Sequence, residues 1–420
     1  MRQPRPSILR ALGPGVLFTG AAVGVSHLVQ STRAGAVYGL ALVGLVLLAN
    51  LTKYPAFRFG PLYATATGTS LLEGYRRQGK WALVLYAILT LGTMFTVQAA
   101  VTVVTAGLAK VLFGLDVSPA WLSAGLLALC AGLVASGGYR ALDGVGKVVV
   151  SLLAISTLVA TALVLPRVEW GTLSLVPDVG LADVAFLAAL VGWMPSAIDV
   201  SVWQSIWTLA RREQTGHAPS SRESSFDFHL GYLGTAVLAL CFVILGSAVL
   251  HGSGVEVEDR PGAFAAQLIS LYTESLGEWA RPLIGAAAFA TMFSTTLTVV
   301  DGFPRALSVL IDRFQRPEQE EPAGRRSDRT PAYWVSLAAI TLGALTILAF
   351  LASSMRTLID LATTLSFLSA PLLSLLNHRA VTSEEVTKEH RPKGWLIGAS
   401  LVCIAFQALF ALFFLWTLTR

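Results

Sequence analysis

The chain has 420 residues, of which 54% are hydrophobic and 13% are charged. Soluble domains carry roughly 25% charged residues, so this chain has too few polar groups for a water-facing surface and is predicted to lie in lipid. The formal net charge of +5 does not indicate a nucleic-acid partner, because the positive residues fall in short loops between apolar stretches, where they set membrane orientation.

Eleven apolar stretches are long enough to be transmembrane helices, for which roughly 20 residues are needed. No long polar segment separates them, so residues 1–420 are predicted to form one all-α transmembrane domain whose first helix is retained rather than cleaved. The three cysteines lie apart within these apolar runs, which fits buried packing rather than a disulfide framework or a metal cluster. In chain order the stretches cover residues 13–38, 40–57, 81–113, 120–136, 145–165, 181–209, 230–250, 282–311, 332–352, 358–376 and 395–416.

The loops between these stretches differ in charge. If the N-terminus is cytoplasmic, most Lys and Arg residues outside the stretches fall on the cytoplasmic side, as the positive-inside rule requires. The loop at residues 251–280 is acidic and falls outside. The predicted location is therefore the cell membrane, and an odd number of spans places the C-terminus outside the cell.

Two stretches carry residues that interrupt helices. The first contains Gly24 near its middle, with Ser26 and His27 directly after it, and the sixth contains Gly-Trp-Met-Pro-Ser at residues 192–196. Proline removes a backbone donor and glycine loosens a helix. Unwound backbone is tolerated in a bilayer only where it lines protein or water. The simpler interpretation is a pair of ordinary kinks, which are common in membrane helices.

The spacing of the two interruptions favours a transporter. Each interrupted helix opens a set of five spans, and this pattern is typical of inverted-repeat transporters with a binding site at the bilayer midplane. The predicted fold is thus a 5+5 inverted repeat with broken helices 1 and 6. Its parts are repeat one at about 11–166, repeat two at about 180–378 and an extra C-terminal helix at about 394–417.

The candidate site residues lie at and beyond the two interruptions. Met194 offers a thioether and His27 an imidazole, so both are candidate metal ligands, although packing and pore-lining roles are the simpler alternatives. Hydroxyls of the eighth span are candidates to line a small-cation position or to join helices. For Arg33 in the first span, Asp183 is one candidate partner. The substrate-binding candidates are Gly24, Val25, Ser26, His27, Gly192, Met194 and Ser196; the pathway or coupling-ion candidates are Asp199, Gln98, Ser294, Thr295 and Thr296.

A series of short motifs occurs in order along the chain. They are Gly-Pro-Gly at 13–15, Gly-Val-Ser-His at 24–27, Ala-Gly-Ala at 34–36, the segments 50–55, 57–61 and 63–68, Met-Pro-Ser at 194–196 and the Ser/Thr-rich segment 293–298. Together they resemble the Nramp family of divalent-metal transporters, and more closely its divergent Nramp-related branch, over roughly helices one to ten. The resemblance implies a leucine-transporter-like fold and alternating access.

The departures from the family pattern fall on its metal ligands. The family's Asp and Asn of the first helix fall on Gly24 and His27, and its Met of the sixth helix falls on Met194. The family's His after Met-Pro falls on Ser196, and the third-helix acids linked to proton movement have no counterpart in a span that contains Gln98. The resemblance therefore implies altered selectivity.

These observations lead to two hypotheses for a secondary transporter and argue against an enzyme, because the sequence has no phosphate-binding loop and no hydrolase motif. The first is a divalent-metal carrier of altered selectivity, for example for a hydrated hard ion such as Mg²⁺. The alternative is a carrier of a small organic solute, such as an amino or organic acid, with sodium as a candidate coupling ion. No cofactor is expected. The expected partners are the lipid bilayer and the transported cation or solute, and a monomer is compatible with the sequence.

Overall fold

Apolar segments in lipid must satisfy their own backbone hydrogen bonds, which α-helices do within a single segment. The computed structural model describes residues 13–136, 139–174, 179–316 and 330–420, and in these ranges it has α-helices and no β-strand. The helices are α1 (Pro14–Ala22), α2 (Thr32–Tyr38), α3 (Val43–Thr67), α4 (Leu71–Gln78), α5 (Lys80–Phe113), α6 (Pro119–Ala135), α7 (Tyr139–Val164), α8 (Val184–Trp193), α9 (Asp199–Thr215), α10 (Ser221–Leu250), α11 (Pro261–Leu276), α12 (Arg281–Gln315), α13 (Pro331–Leu351), α14 (Met355–Thr382) and α15 (Gly394–Thr417).

Every predicted stretch coincides with a helix or a pair of helices, so the all-α fold is confirmed. In the described ranges six helices are each long and apolar enough to cross a membrane alone, namely α5, α10, α12, α13, α14 and α15. The total of eleven crossings stays a prediction. The sequence analysis missed α4 and α11, because neither lies in an apolar run of membrane-spanning length.

The first predicted interruption is confirmed. Helix α1 ends at Ala22, and Val23 leaves helical geometry with φ −75° and ψ 78°. The chain continues into a π-helical turn at Ser26–Ser31 before α2 begins. Such π-helical turns are rare and often lie at functional sites. The break is thus short, with Gly24 at its centre.

The second predicted interruption is confirmed as well. Helix α8 ends at Trp193, and Met194 adopts an extended conformation with φ −93° and ψ 115°. Helix α9 begins only at Asp199. Proline at position 195 has no N–H to donate to the carbonyl of Val191, four residues earlier. Pro195 therefore explains why α8 ends here, at the position where the sequence predicted a break near the bilayer midplane.

Close packing against α10 holds the first broken helix in place. A Cβ atom at Gly15 would lie 2.0 Å from the carbonyl oxygen of Asp227, and one at Gly35 would lie 2.0 Å from that of Val243. Only glycine allows backbones to approach so closely. The Asp227 carboxylate also accepts hydrogen bonds from the backbone N–H groups of Gly13 at 3.1 Å and Gly15 at 2.6 Å, which satisfies donors at the start of α1.

A buried ionic network surrounds α4, at the end of the bundle predicted to face the cytoplasm. The Glu73 carboxylate, which is fully buried, accepts hydrogen bonds from Arg76, from Arg77 at 2.9 Å and from Arg313 of α12 at 3.0 Å. Burial alone would raise the pKa of Glu73, but the hydrogen bonds from these three guanidinium groups outweigh it and lower the pKa to about 2. The network therefore joins α4 to α12 through one ionised carboxylate.

We predict that Glu73→Gln destabilises the protein by about 3 kcal/mol, because it leaves the buried Arg313 without one of its carboxylate partners. The folded-state pKa lies below the ordinary value of 4.5, so the ionised group stabilises the fold fully above about pH 4.5, and this contribution is lost as the pH falls towards about 2. Thermal melting of the purified proteins should therefore show a constant difference near neutral pH that shrinks in acid.

The matched control for this substitution is Glu384→Gln, which changes an exposed glutamate of the same end and should leave the melting temperature unchanged. An equal loss in both variants, or a difference between wild type and Glu73→Gln that persists unchanged at pH 3, would contradict the assigned network.

Candidate functional site

The two helix breaks face each other inside the bundle. The Ser26 hydroxyl lies 3.4 Å from the carbonyl oxygen of Pro195, and it donates a 2.7 Å hydrogen bond to the carbonyl of Ala22. Ser26 and Ser196 are both buried. The structure thus brings together the candidates that the sequence placed at positions 24–27 and 192–196.

A lysine ammonium occupies the second break. Lys53 extends from the middle of α3, and its Nζ donates to the carbonyl oxygens of Val191 at 2.6 Å, Gly192 at 2.7 Å and Ser196 at 3.1 Å. Its side chain is completely buried. The carbonyl groups at the C-terminal end of a helix are orphaned acceptors, and here the ammonium satisfies three backbone acceptors at once.

His27 connects the first break to α10. One ring nitrogen, Nδ1, lies 2.8 Å from the Ser26 hydroxyl, and the other, Nε2, lies 2.9 Å from the carbonyl oxygen of Thr235. The Thr235 carbonyl is an acceptor only, so Nε2 carries the proton and donates to it, whereas Nδ1 faces the Ser26 oxygen, whose proton is donated to Ala22. The imidazole is completely buried between Ser26 and Thr235, so neither ring nitrogen faces open space in this conformation.

The other residues of the breaks serve packing. Met194 is completely buried in a cluster of apolar side chains that includes Val191 and Phe367, and Val25 belongs to the main apolar core. A Cβ atom at Gly192 would lie 2.0 Å from the carbonyl oxygen of Thr363, so this glycine permits close contact between α8 and α14. The soft donor expected at Met194 thus packs among apolar neighbours.

The Ser/Thr segment of α12 meets the first broken helix through one residue. Thr295 donates a 2.8 Å hydrogen bond to the carbonyl of Gly20, and its Cγ2 would lie 2.9 Å from a Cβ atom at Gly24. Thr296 instead pairs with Thr105 of α5 at 2.7 Å. The side chain of Ser294 is only partly buried. Of the three candidates, Thr295 alone makes a described hydrogen bond to the first broken helix.

A carboxylate lies just beyond the second break. Asp199 begins α9 and is buried, and its Oδ1 atom has no hydrogen-bond partner among the described residues. Gln204, five residues further along α9, is also buried, and its Oε1 atom likewise has no partner among the described residues. Gln98 of α5 donates to Thr102 at 3.0 Å, while its Oε1 atom has none. Buried oxygen acceptors of this kind call for a cation or water.

The partner expected for Arg33 was wrong. Arg33 forms an ion pair with Asp360 of α14 at 2.7 Å and donates to Gln30 at 2.9 Å. Asp183 instead accepts a 2.7 Å hydrogen bond from the Tyr38 hydroxyl. Tyr38 is the last residue of α2, and its hydroxyl occupies the Asp183 carboxylate that was a candidate partner of Arg33. The Arg33–Asp360 pair fastens α2 to α14 on the side of the breaks predicted to face outside.

Sequence reasoning missed Lys53 as a functional residue. The residue appeared only within a family-like motif, although a lysine inside an apolar span is costly and marks a functional site by default. That signal was present in the second stretch. The partners of Lys53 could not be read from the sequence, because they are backbone carbonyls about 140 residues away along the chain.

Comparisons with known proteins agree with this fold. The family profile described as "Natural resistance-associated macrophage protein-like" matches residues 15–417. An uncharacterized protein of Pasteurella multocida is 35% identical over 416 residues, which cover 96% of this chain and 92% of that protein. The chain therefore belongs to the Nramp family of membrane transporters and is not an enzyme.

Solved structures share the fold at low sequence identity. A manganese transporter of Eremococcus coleocola is 14% identical with a TM-score of 0.71, covering 98% of this chain and 88% of that one. The transporter MhsT, solved in complex with L-phenylalanine, is 14% identical with a TM-score of 0.63, covering 99% of this chain and 100% of that one. The fold is thus the leucine-transporter-like fold that the resemblance implied.

We predict that Gly24→Ala destabilises the protein by about 1–3 kcal/mol, because the added methyl group meets Thr295 Cγ2 at 2.9 Å. Adding Thr295→Ser removes that methyl group and keeps the hydroxyl bound to Gly20, so stability should recover. Thermal melting of the single and double variants measures both effects. Gly92→Ala, where nothing lies within 4 Å, is the control; failure of Thr295→Ser to restore stability would refute the contact.

Proposed function

We propose that this transporter moves a divalent metal cation across the cell membrane by alternating access, with a selectivity altered from that of the family. The observation that carries the proposal is the pair of facing helix breaks with a buried carboxylate beside them. Ser26 and Pro195 bring the breaks together, and Asp199 lies five residues beyond Met194 with an unsatisfied oxygen atom. A cation supplies what such oxygen atoms lack.

The donor set favours a hard cation that keeps part of its water shell. The oxygen donors around the breaks are hydroxyls, carbonyls and one carboxylate, and hard ions such as Mg²⁺ prefer these ligands. The soft donors face other groups, because Met194 packs among apolar side chains and the buried His27 ring lies between Ser26 and Thr235. Gly24 leaves the first break without a carboxylate, so a fully dehydrated ion would find too little negative charge.

A second candidate function has one specific observation in its favour. Lys53 and Arg33 are buried cations, one in the second break and one at the outer end of the site. Positive charge at both places would attract a solute that carries a carboxylate, such as an amino or organic acid. Uptake of ions and of such acids by the same preparation separates the two functions.

Purified protein in liposomes should take up Mg²⁺ faster than empty liposomes do, and Asp199→Asn should reduce the initial rate at least about tenfold, because it removes the one carboxylate that the described residues place at the break. Asp116→Asn, which changes a fully exposed aspartate, is the matched control and should transport normally. Met194→Leu keeps the side-chain volume and removes the thioether, so Mg²⁺ uptake should persist.

The outcomes of this experiment are separable. A loss of transport in Met194→Leu with Asp199→Asn unaffected would contradict the oxygen-based site and favour a soft metal. Uptake of a labelled amino or organic acid, with no uptake of any divalent cation in a panel of ions, would instead select the second function.

The orientation in the membrane belongs to the same proposal. We infer that the N-terminus is cytoplasmic, the C-terminus is external, and the halves at about 11–166 and 180–378 act as the inverted repeats. The distribution of Lys and Arg between the loops supports this orientation. A tag fused after Arg420 should be cleaved by protease added to intact cells, whereas protection of that tag would reverse the topology.

A further inference from the structure

The three carbonyl oxygens around Lys53, those of Val191, Gly192 and Ser196, form a cradle at the second helix break. An ammonium group has three N–H donors and no acceptor, and Lys53 Nζ uses all three on this cradle, at 2.6, 2.7 and 3.1 Å. Two of the carbonyls belong to the last turn of α8. That end of a helix carries partial negative charge and stabilises a cation.

The cradle binds a positively charged group and not only a neutral hydrogen-bond donor. No carboxylate is paired with Lys53 among the described residues, and the backbone oxygens are its described partners. A buried ammonium is costly unless it is compensated, so the carbonyl dipoles must provide that compensation. In turn, the ammonium donates to the carbonyl of Val191, which lacks the helical bond from Pro195 and otherwise accepts only a 3.3 Å bond from the Met194 N–H among the described residues.

The size of the cradle selects the class of cation. Its oxygens lie 2.6–3.1 Å from a common centre, whereas Mg²⁺ requires about 2.0–2.1 Å and Ca²⁺ about 2.3–2.6 Å. Helix α3 is anchored beside Lys53 by two hydrogen bonds to its own backbone. Tyr232 donates to the carbonyl of Asn50 at 2.6 Å, and Gln407 donates to that of Thr52 at 2.8 Å. The cradle therefore fits a cation of ammonium size and is too wide for these dications.

We propose that this cradle is a monovalent-cation site which the chain fills permanently with its own Lys53 ammonium. The tethered charge completes the second break, so no dissolved cation is needed there to hold α8 and α9 in place. Two consequences follow. The wild-type protein is indifferent to the monovalent cation in solution, and shortening Lys53 creates a protein that depends on one.

The test measures thermal stability of the purified protein and needs no knowledge of the transported substrate, so it does not depend on the proposed function. Wild type, Lys53→Ala and Lys53→Met are compared in N-methylglucamine buffer, to which K⁺, ammonium or propylammonium is added. Propylammonium has the three carbons and the nitrogen that Lys53→Ala removes beyond Cβ. Propan-1-ol is its uncharged counterpart, and Lys110→Ala, at a partly exposed lysine, is the control variant.

We expect the melting temperature of Lys53→Ala to be low in N-methylglucamine and to rise with ammonium, K⁺ and most strongly propylammonium, with saturation at a defined concentration. Propan-1-ol should have no such effect. Lys53→Met, whose methyl end fills the space without charge, should stay low in every buffer, and wild type and Lys110→Ala should not respond. If Lys53→Ala can be purified only when ammonium or propylammonium is present, that dependence supports the site.

Three results would overturn the proposal. The first is a Lys53→Met protein as stable as wild type. The second is recovery of Lys53→Ala by propan-1-ol as fully as by propylammonium, which would show a filled cavity rather than a cation site. The third is a Lys53→Ala protein that none of the cations stabilises, or that fails to fold in all of them.

Discussion

Lipid provides no hydrogen-bond partner, and this constraint governs both breaks of the bundle. Each interrupted helix frees backbone carbonyls that protein groups must then satisfy. At the first break the partners are neutral hydroxyls: Ser26 serves Ala22, and Thr295 serves Gly20. At the second break the partner is the charged amine of Lys53, which serves three carbonyls. The two breaks therefore differ in electrostatics.

This difference shapes the chemistry available to a substrate. The second break already holds one positive charge, so any cation that enters must be coordinated from the first break, from Ser196 or from Asp199. Asp199 lies at the start of α9, where the helix dipole favours its negative charge, and its free Oδ1 atom remains available for a ligand. A partly hydrated ion tolerates such a site better than a dehydrated one, because its own water molecules separate it from Lys53.

The sequence was sufficient to predict the helices that lie in long apolar stretches and both breaks, because apolar length, glycine and proline are local signals. It also named Ser26, Ser196 and Thr295, which the structure places beside the breaks. Its failures concern partners. Arg33 was assigned to Asp183 and binds Asp360, more than 300 residues along the chain. Lys53 was overlooked because its acceptors are backbone carbonyls, which any residue type supplies, so no sequence pattern marks them.

Close backbone contacts pair each broken helix with one long helix. Helices α1 and α2 are joined to α10 through Gly15 and Gly35, where the backbones touch. Helix α8 is joined in the same way to α14 through Gly192. Contacts this close leave no room for a side chain between the paired backbones. The Arg33–Asp360 pair links α2 to α14, so a motion that parted these two helices at that end would have to separate this ion pair.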